Sequence, residues 1–141
     1  MQFEVREMTI GDYDDAVALW NSVEGIGLDD ADTYEKVDSY LIRNPGLSFV
    51  AHLDSRMVGV VLCGHDGRRG YLHHLAVSNS CRGLGLGRML VDRVFAALRE
   101  CGIEKCNIFV YGDNEQGLGF WEATGWTAYR DLLFMTKPTN A

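Results

Sequence analysis

The segment Ser80-Cys81-Arg82-Gly83-Leu84-Gly85-Leu86-Gly87-Arg88 carries the sharpest chemical signal in the chain. It stands between a β-type run and a long helical stripe. Consecutive backbone amides at a helix N-terminus, backed by the positive end of the helix dipole, suit a pyrophosphate, and glycines let phosphate oxygens approach the main chain. A plain glycine-rich turn fits the same composition. Two phosphate motifs are excluded. A Rossmann G-x-G-x-x-G needs glycine where Arg88 stands, and a Walker A loop needs a Gly-Lys dipeptide that the chain lacks.

The second candidate chemistry is proton transfer. His73 and His74 lie in the run YLHHLAV, and imidazole is the side chain whose ordinary titration falls near neutral pH. On a regular strand the two rings point to opposite faces, so only one serves a given site and they cannot jointly chelate a metal. No metal site is expected. Pairing across the turn Asp66-Gly67-Arg68-Arg69-Gly70 predicts Cys63 opposite His73 and His65 opposite Tyr71. A Cys63–His73 pair suits an acyl-enzyme nucleophile, provided the thiol is exposed and its pKa lowered. Satisfied sheet histidines and a buried, inert cysteine are the plainer reading.

The elements that must position these groups follow from periodicity. QFEVREM alternates as a strand. From Asp12, the residues Tyr13, Ala16, Val17, Trp20 and Val23 form a helical stripe. Asp32 followed by Glu35 resembles a capping box for a second helix carrying Tyr34, Val37, Tyr40 and Leu41, stopped by Asn44-Pro45-Gly46. SFVAHL, MVGVVLCGH and YLHHLAV read as three antiparallel strands. Leu86, Met89, Leu90, Val94, Leu98 and Cys101 mark a long third helix ending at Gly102. CNIFVY reads as a strand, Asn114 caps a short helix through Ala123, and 126–135 reads as a last strand. The order β-α-α-β-β-β-α-β-α-β predicts an α/β (α+β) fold, with about six strands in a mixed, mostly antiparallel sheet and four helices.

Length and composition agree with one globular domain over 1–141: 47% hydrophobic residues and 2 prolines. A formal charge of −7 disfavours nucleic acid and membrane surfaces as partners. Cys63, Cys81, Cys101 and Cys106 lack C-x-x-C spacing, which fits reduced thiols. The N-terminal residues lack the basic and apolar regions of a signal peptide, and no apolar window would span a bilayer. A cytoplasmic protein is expected. The aromatic-rich last strand with Trp126 suits either core packing or a homodimer surface.

Arg82-x-x-Gly85-x-Gly87 after His73-His74-Leu75-Ala76-Val77 resembles the acyl-CoA-binding motif of the Gcn5-related N-acetyltransferases, the GNAT family. The stretch from Asn114 through Phe120-Trp121 to Gly125-Trp126 is similar to that family's second signature, so the resemblance covers nearly the whole chain. It implies an acetyl-CoA-dependent N-acetyltransferase that delivers acetyl directly to a primary amine of a small molecule, peptide or protein. The amides of Arg82, Gly83, Leu84, Gly85, Leu86, Gly87 and Arg88 would hold the coenzyme A pyrophosphate. The backbone of Leu75, Ala76 and Val77 would pair with pantetheine, and the strands on either side of that site would splay to admit it. Asn114, with Trp121 in the same short helix, would also contact pantetheine. The Leu75 N–H would stabilise the oxyanion. His73 would be the base, its place two residues before Leu75 being similar to that of the histidine base in serotonin-acetylating members. One departure stands out: Trp121 occupies the position where the family commonly has a tyrosine that protonates the departing thiolate, and indole cannot act as that acid. Water or Tyr111 could take over; a catalytically silent acyl-CoA sensor is the alternative. Gly117 and Gly119 weaken the short helix and hint at close approach there. Glu24, Asp29, Asp30 and Asp32, between the first two helices, would attract a cationic amine or simply be solvated.

Overall fold

Runs rich in valine bury both faces when they sit centrally in a sheet, and MVGVVLCGH does so. In the computed structural model, which describes residues 2–140, it forms β3 (Arg56–His65) at the middle of a five-stranded sheet of order β1-β2-β3-β4-β5. The other strands are β1 (Glu4–Glu7), β2 (Phe49–Leu53), β4 (Gly70–Val77) and β5 (Cys106–Asn107). Pairing is antiparallel except between β4 and β5. The helices are α1 (Tyr13–Ser22), α2 (Tyr34–Arg43), α3 (Leu86–Glu100) and α4 (Glu115–Ala123).

The chain divides into two compact units, Met1–Phe109 and Val110–Ala141, with the sheet in the first and α4 in the second. In the first, Trp20 and Ala16 of α1 and Val37 of α2 join Val50, Val60, Leu62 and Ala76 in one core cluster. Leu86, Leu90, Val94 and Leu98 of α3 are also buried. Gly59 lies under α3: a Cβ there would meet Leu90 at 2.9 Å and Leu86 at 3.2 Å. Gly64 similarly lies against α2, since a Cβ would meet the Asn44 amide at 2.7 Å and the Tyr40 hydroxyl at 2.8 Å.

Four expectations need correction. The sheet has five strands, not six: among the described residues the segment 126–135 makes no ladder, with Leu132 72% and Leu133 86% exposed. Its apolar residues are β-formers by composition, but strand propensity counts only where a pleated face is buried. CNIFVY forms a ladder only at Cys106 and Asn107. The second helix is capped by Thr33, whose hydroxyl accepts from Lys36 N at 3.3 Å, and not by Asp32. Finally, the β3–β4 register differs by one: Cys63 faces Leu72, His65 faces Gly70, and Leu62 faces His73. The reason is local. Asp66 Oδ1 accepts from Arg68 N and Arg69 N at 2.8 and 2.9 Å, closing the turn before Gly70 and leaving that glycine to pair.

Candidate active site

Leu62 pairs with His73 and Val60 with Ala76, so Val61 stands opposite both His74 and Leu75. That is a β-bulge, and it bends β4 where the candidate residues lie. His74 adopts φ +53°, a left-handed conformation uncommon outside glycine. The bulge overturns the expectation that the two histidines diverge. Their ring centroids are 6.4 Å apart, with His73 edge-on to Tyr40 of α2 at 6.2 Å and His74 edge-on to Trp20 of α1 at 5.3 Å.

Each ring has a distinct environment. Burial, then the neighbouring His74, holds His73 below the ordinary imidazole pKa, while Asp32 pulls the other way. A neutral, proton-accepting ring at pH 7 results. Tyr40, which packs on it, has a hydroxyl with no hydrogen-bond partner among the described residues, and burial raises its pKa. His74 Nε2 lies 2.9 Å from Asp32 Oδ1, with side chains 20% and 11% exposed. Of the acidic residues between α1 and α2, Glu24, Asp29 and Asp30 are solvated, whereas Asp32 turns inward.

Cys63 is fully buried, and the neighbouring Cys106 together with burial raises its pKa. It meets neither requirement of an acyl-enzyme nucleophile.

Beyond Tyr71, β4 continues through residues 72–77 with no β5 partner, so among the described residues no strand ladder covers that edge at Leu75, Ala76 and Val77. The chain then enters the glycine segment. Gly83 and Gly85 adopt φ +77° and +80°, and a Cβ built on either meets nothing within 4 Å. Gly85 is the N-cap of α3, so the amides of Leu86, Gly87 and Arg88 open the helix as unpaired donors. Arg82 and Arg88 are exposed there, and a shallow depression runs over Gly85, Arg88, Met89, Asp92 and Arg93. An open backbone at left-handed glycines, first-turn amides and flanking guanidiniums together fit a diphosphate group.

The sequence from Tyr13 through Trp126 matches the family model described as Acetyltransferase (GNAT) family. The chain belongs to the acetyltransferase (GNAT) family. It is 30% identical over 134 residues to an acetyltransferase of Yersinia enterocolitica, covering 95% of this chain and 94% of that one. An acetyltransferase of Sodalis glossinidius is 27% identical over the same length and coverage. Among solved structures, the PaiA N-acetyltransferase from Thermoplasma acidophilum, in complex with coenzyme A, superposes with a TM-score of 0.78 at 18% identity, covering 92% of each chain. Ard1 from Thermoplasma volcanium gives 0.79 at 17% identity over 90% of this chain and 84% of that one. The protein is therefore a GNAT acetyltransferase, and the silent-sensor alternative finds no support among these relatives.

In the second unit of this family member, Asn114 caps α4, its Oδ1 accepting from Gly117 N at 3.0 Å. A Cβ at Gly117 would overlap the Asn114 side chain, so that glycine serves the cap; Gly119 has open space. Trp121 packs edge-on to Phe120 and Trp126 with centroids 5.0 and 5.1 Å away. Two features at the site escaped sequence reasoning: the Asp32–His74 pair and the bulge. Neither leaves a local signature, since Asp32 and His74 are 42 residues apart.

Proposed function

We propose that this chain, as one N-acetyltransferase domain over 1–141, transfers the acetyl group of acetyl-CoA directly to a primary amine of a small molecule, peptide or protein. The observation that carries this reading is continuity along β4: a partly buried histidine, a bulged peptide, an edge without a β5 partner and a glycine-capped helix follow one another in that order. The thioester supplies an activated acyl carbon with a good leaving group. Arg82, Gly83, Leu84, Gly85, Leu86, Gly87 and Arg88 hold the pyrophosphate through amides and helix dipole. Leu75, Ala76 and Val77 pair with pantetheine by strand addition, and the family resemblance adds Asn114 and Trp121 as further cofactor-binding residues. His73 accepts the ammonium proton, directly or through water. The freed nitrogen lone pair forms the N–C bond as the carbonyl π pair moves to oxygen, where the Leu75 N–H stabilises it. The nitrogen, cationic in the adduct, gives its second proton to water; collapse re-forms the C=O, breaks the C–S bond and releases thiolate, which takes a proton from water or Tyr111. Four free cysteines and an acidic surface support a cytoplasmic setting. Among the described residues no helix is long and apolar enough to cross a membrane.

Calorimetric titration with acetyl-CoA, CoA and NADH tests the donor site, using wild type and the Gly85→Glu, Gly87→Glu variant. Binding selective for CoA compounds and lost in the variant is expected; no binding by folded wild type refutes the proposal. A panel of amines, comprising a polyamine, an amino sugar and peptides with free α- or ε-amines, then identifies the acceptor.

A further inference from the structure

The indole of Trp20 is fully buried on α1, yet its one polar atom reaches across to the sheet: Nε1–H donates to the carbonyl oxygen of His74 at 2.8 Å. That carbonyl belongs to the peptide joining His74 to Leu75, whose N–H is assigned above to the thioester oxygen. The described peptide bonds are all trans, and in a planar trans peptide the C=O and N–H point in opposite directions. Whatever grips the carbonyl therefore aims the Leu75 N–H.

A second grip acts on the same peptide from the side chain. His74 holds a left-handed φ of +53°, a conformation that persists in a non-glycine residue only when its surroundings over-determine it. Its ring is held by Asp32 at 2.9 Å and stands edge-on to Trp20. Asp32 is itself anchored: Oδ2 accepts from Asp29 N at 3.0 Å, and its carbonyl oxygen accepts from the Tyr13 hydroxyl of α1. The carbonyl and the ring of His74 are thus both tied to the layer formed by α1 and the turn before α2.

We propose that Trp20 is a positioning residue for acyl transfer. Its indole N–H, seconded by the Asp32–His74 pair, orients the His74–Leu75 peptide so that the Leu75 N–H meets the carbonyl oxygen as negative charge develops there. It acts on that oxygen alone; the N–C bond made, the C–S bond broken and the amine proton taken by His73 are as described above. The inference rests on the assignment of Leu75 under the proposed function.

Trp20→Phe removes the N–H while keeping an aromatic ring in the core. With hydroxylamine as acceptor, an amine largely unprotonated at neutral pH, turnover reports activation of the thioester and not proton removal. The expected result, after subtraction of the uncatalysed reaction, is a kcat about tenfold or more below wild type, with the acetyl-CoA Kd within about twofold. Asp32→Asn, which weakens the second grip and leaves the core intact, is expected to lower kcat by about threefold or more at unchanged Kd, and serves if Trp20→Phe does not fold. A kcat within about twofold of wild type in the folded variants overturns the proposal, as does a loss confined to acetyl-CoA affinity. Amide spectra separate this inference from its foundation, with a non-transferable ketone analogue of acetyl-CoA as the probe. A Leu75 amide shift in wild type that is lost in Trp20→Phe supports the proposal. The same shift in both proteins overturns it while leaving the role of Leu75 standing, and no shift in wild type overturns both.

Discussion

At the scale of single residues, the proposed base His73 should decide how the enzyme responds to pH. Tyr40 packs on it from α2, His74 adjoins it on β4, and Asp32 acts on it from the turn before α2. Burial and then His74 lower its pKa, so its neutral, working form survives to lower pH than a free imidazole, whose pKa is about 6.5. The acidic limb of kcat/KM for an aliphatic amine should therefore have its midpoint below about pH 6.5. Asp32→Asn removes an influence that raises this pKa and should move the midpoint lower still; a midpoint moving up would exclude His73 as the titrating base. The same lowered pKa bears on folding. Between the folded and unfolded pKa values the unfolded chain binds more protons, so stability should decline as pH falls from about 6.5 into that window, as urea melts at several pH values would measure. Cys63 gives the opposite kind of prediction. Since its thiol is buried and its pKa raised, Cys63→Ala should keep kcat within about twofold of wild type, and intact-peptide mass spectrometry should find no acetyl group on Cys63. Both histidines and the glycine segment stood out as candidates by residue type and order, whereas Leu75 was reached only through the family resemblance. Trp20 was legible only as one apolar position on a helical stripe, because a hydrogen bond 54 residues along the chain leaves no mark in local periodicity.

At the scale of elements, β3 and α3 meet where a side chain is missing. Gly59→Ala would place its Cβ 2.9 Å from Leu90 and 3.2 Å from Leu86, both essentially fully buried. Overpacking at such a contact costs about 1–3 kcal/mol, which should appear as a lower urea midpoint at unchanged m-value. If the midpoint is unchanged, α3 has room to move off the sheet. The stripes of α1, α2 and α3 were readable because one face of each is apolar at helical spacing. The cap of α2 was misplaced by one residue for a physical reason: Asp32 and Thr33 are both good caps, and tertiary pairing with His74 drew Asp32 away. The β3–β4 register was likewise settled by the Asp66 side chain within the turn, a choice that alternation of hydrophobic residues does not dictate.

At the scale of the whole molecule, the sheet order places β3 centrally, flanked by β2 and β4 and covered by α1 and α3. Amides of Val58, Val60, Val61 and Cys63 should therefore exchange with solvent only through the largest openings, whereas β1 and β5 should exchange faster by local fraying. Hydrogen-exchange mass spectrometry would test this, and fast exchange in β3 would contradict the layer arrangement. The sequence by itself determined the order of elements up to α4, the glycine-capped helix, the family and the residues of the β4 strand. These are properties of neighbouring residues: periodicity, propensity and fixed spacing act over a few positions and need no partner from elsewhere. Only the tertiary structure decided that 126–135 forms no ladder, that His73 and His74 lie close together, and that Asp32 and Trp20 grip the bulge. Each of those depends on distant segments competing for the same hydrogen-bonding groups and buried space, and that competition is settled only when the chain has packed.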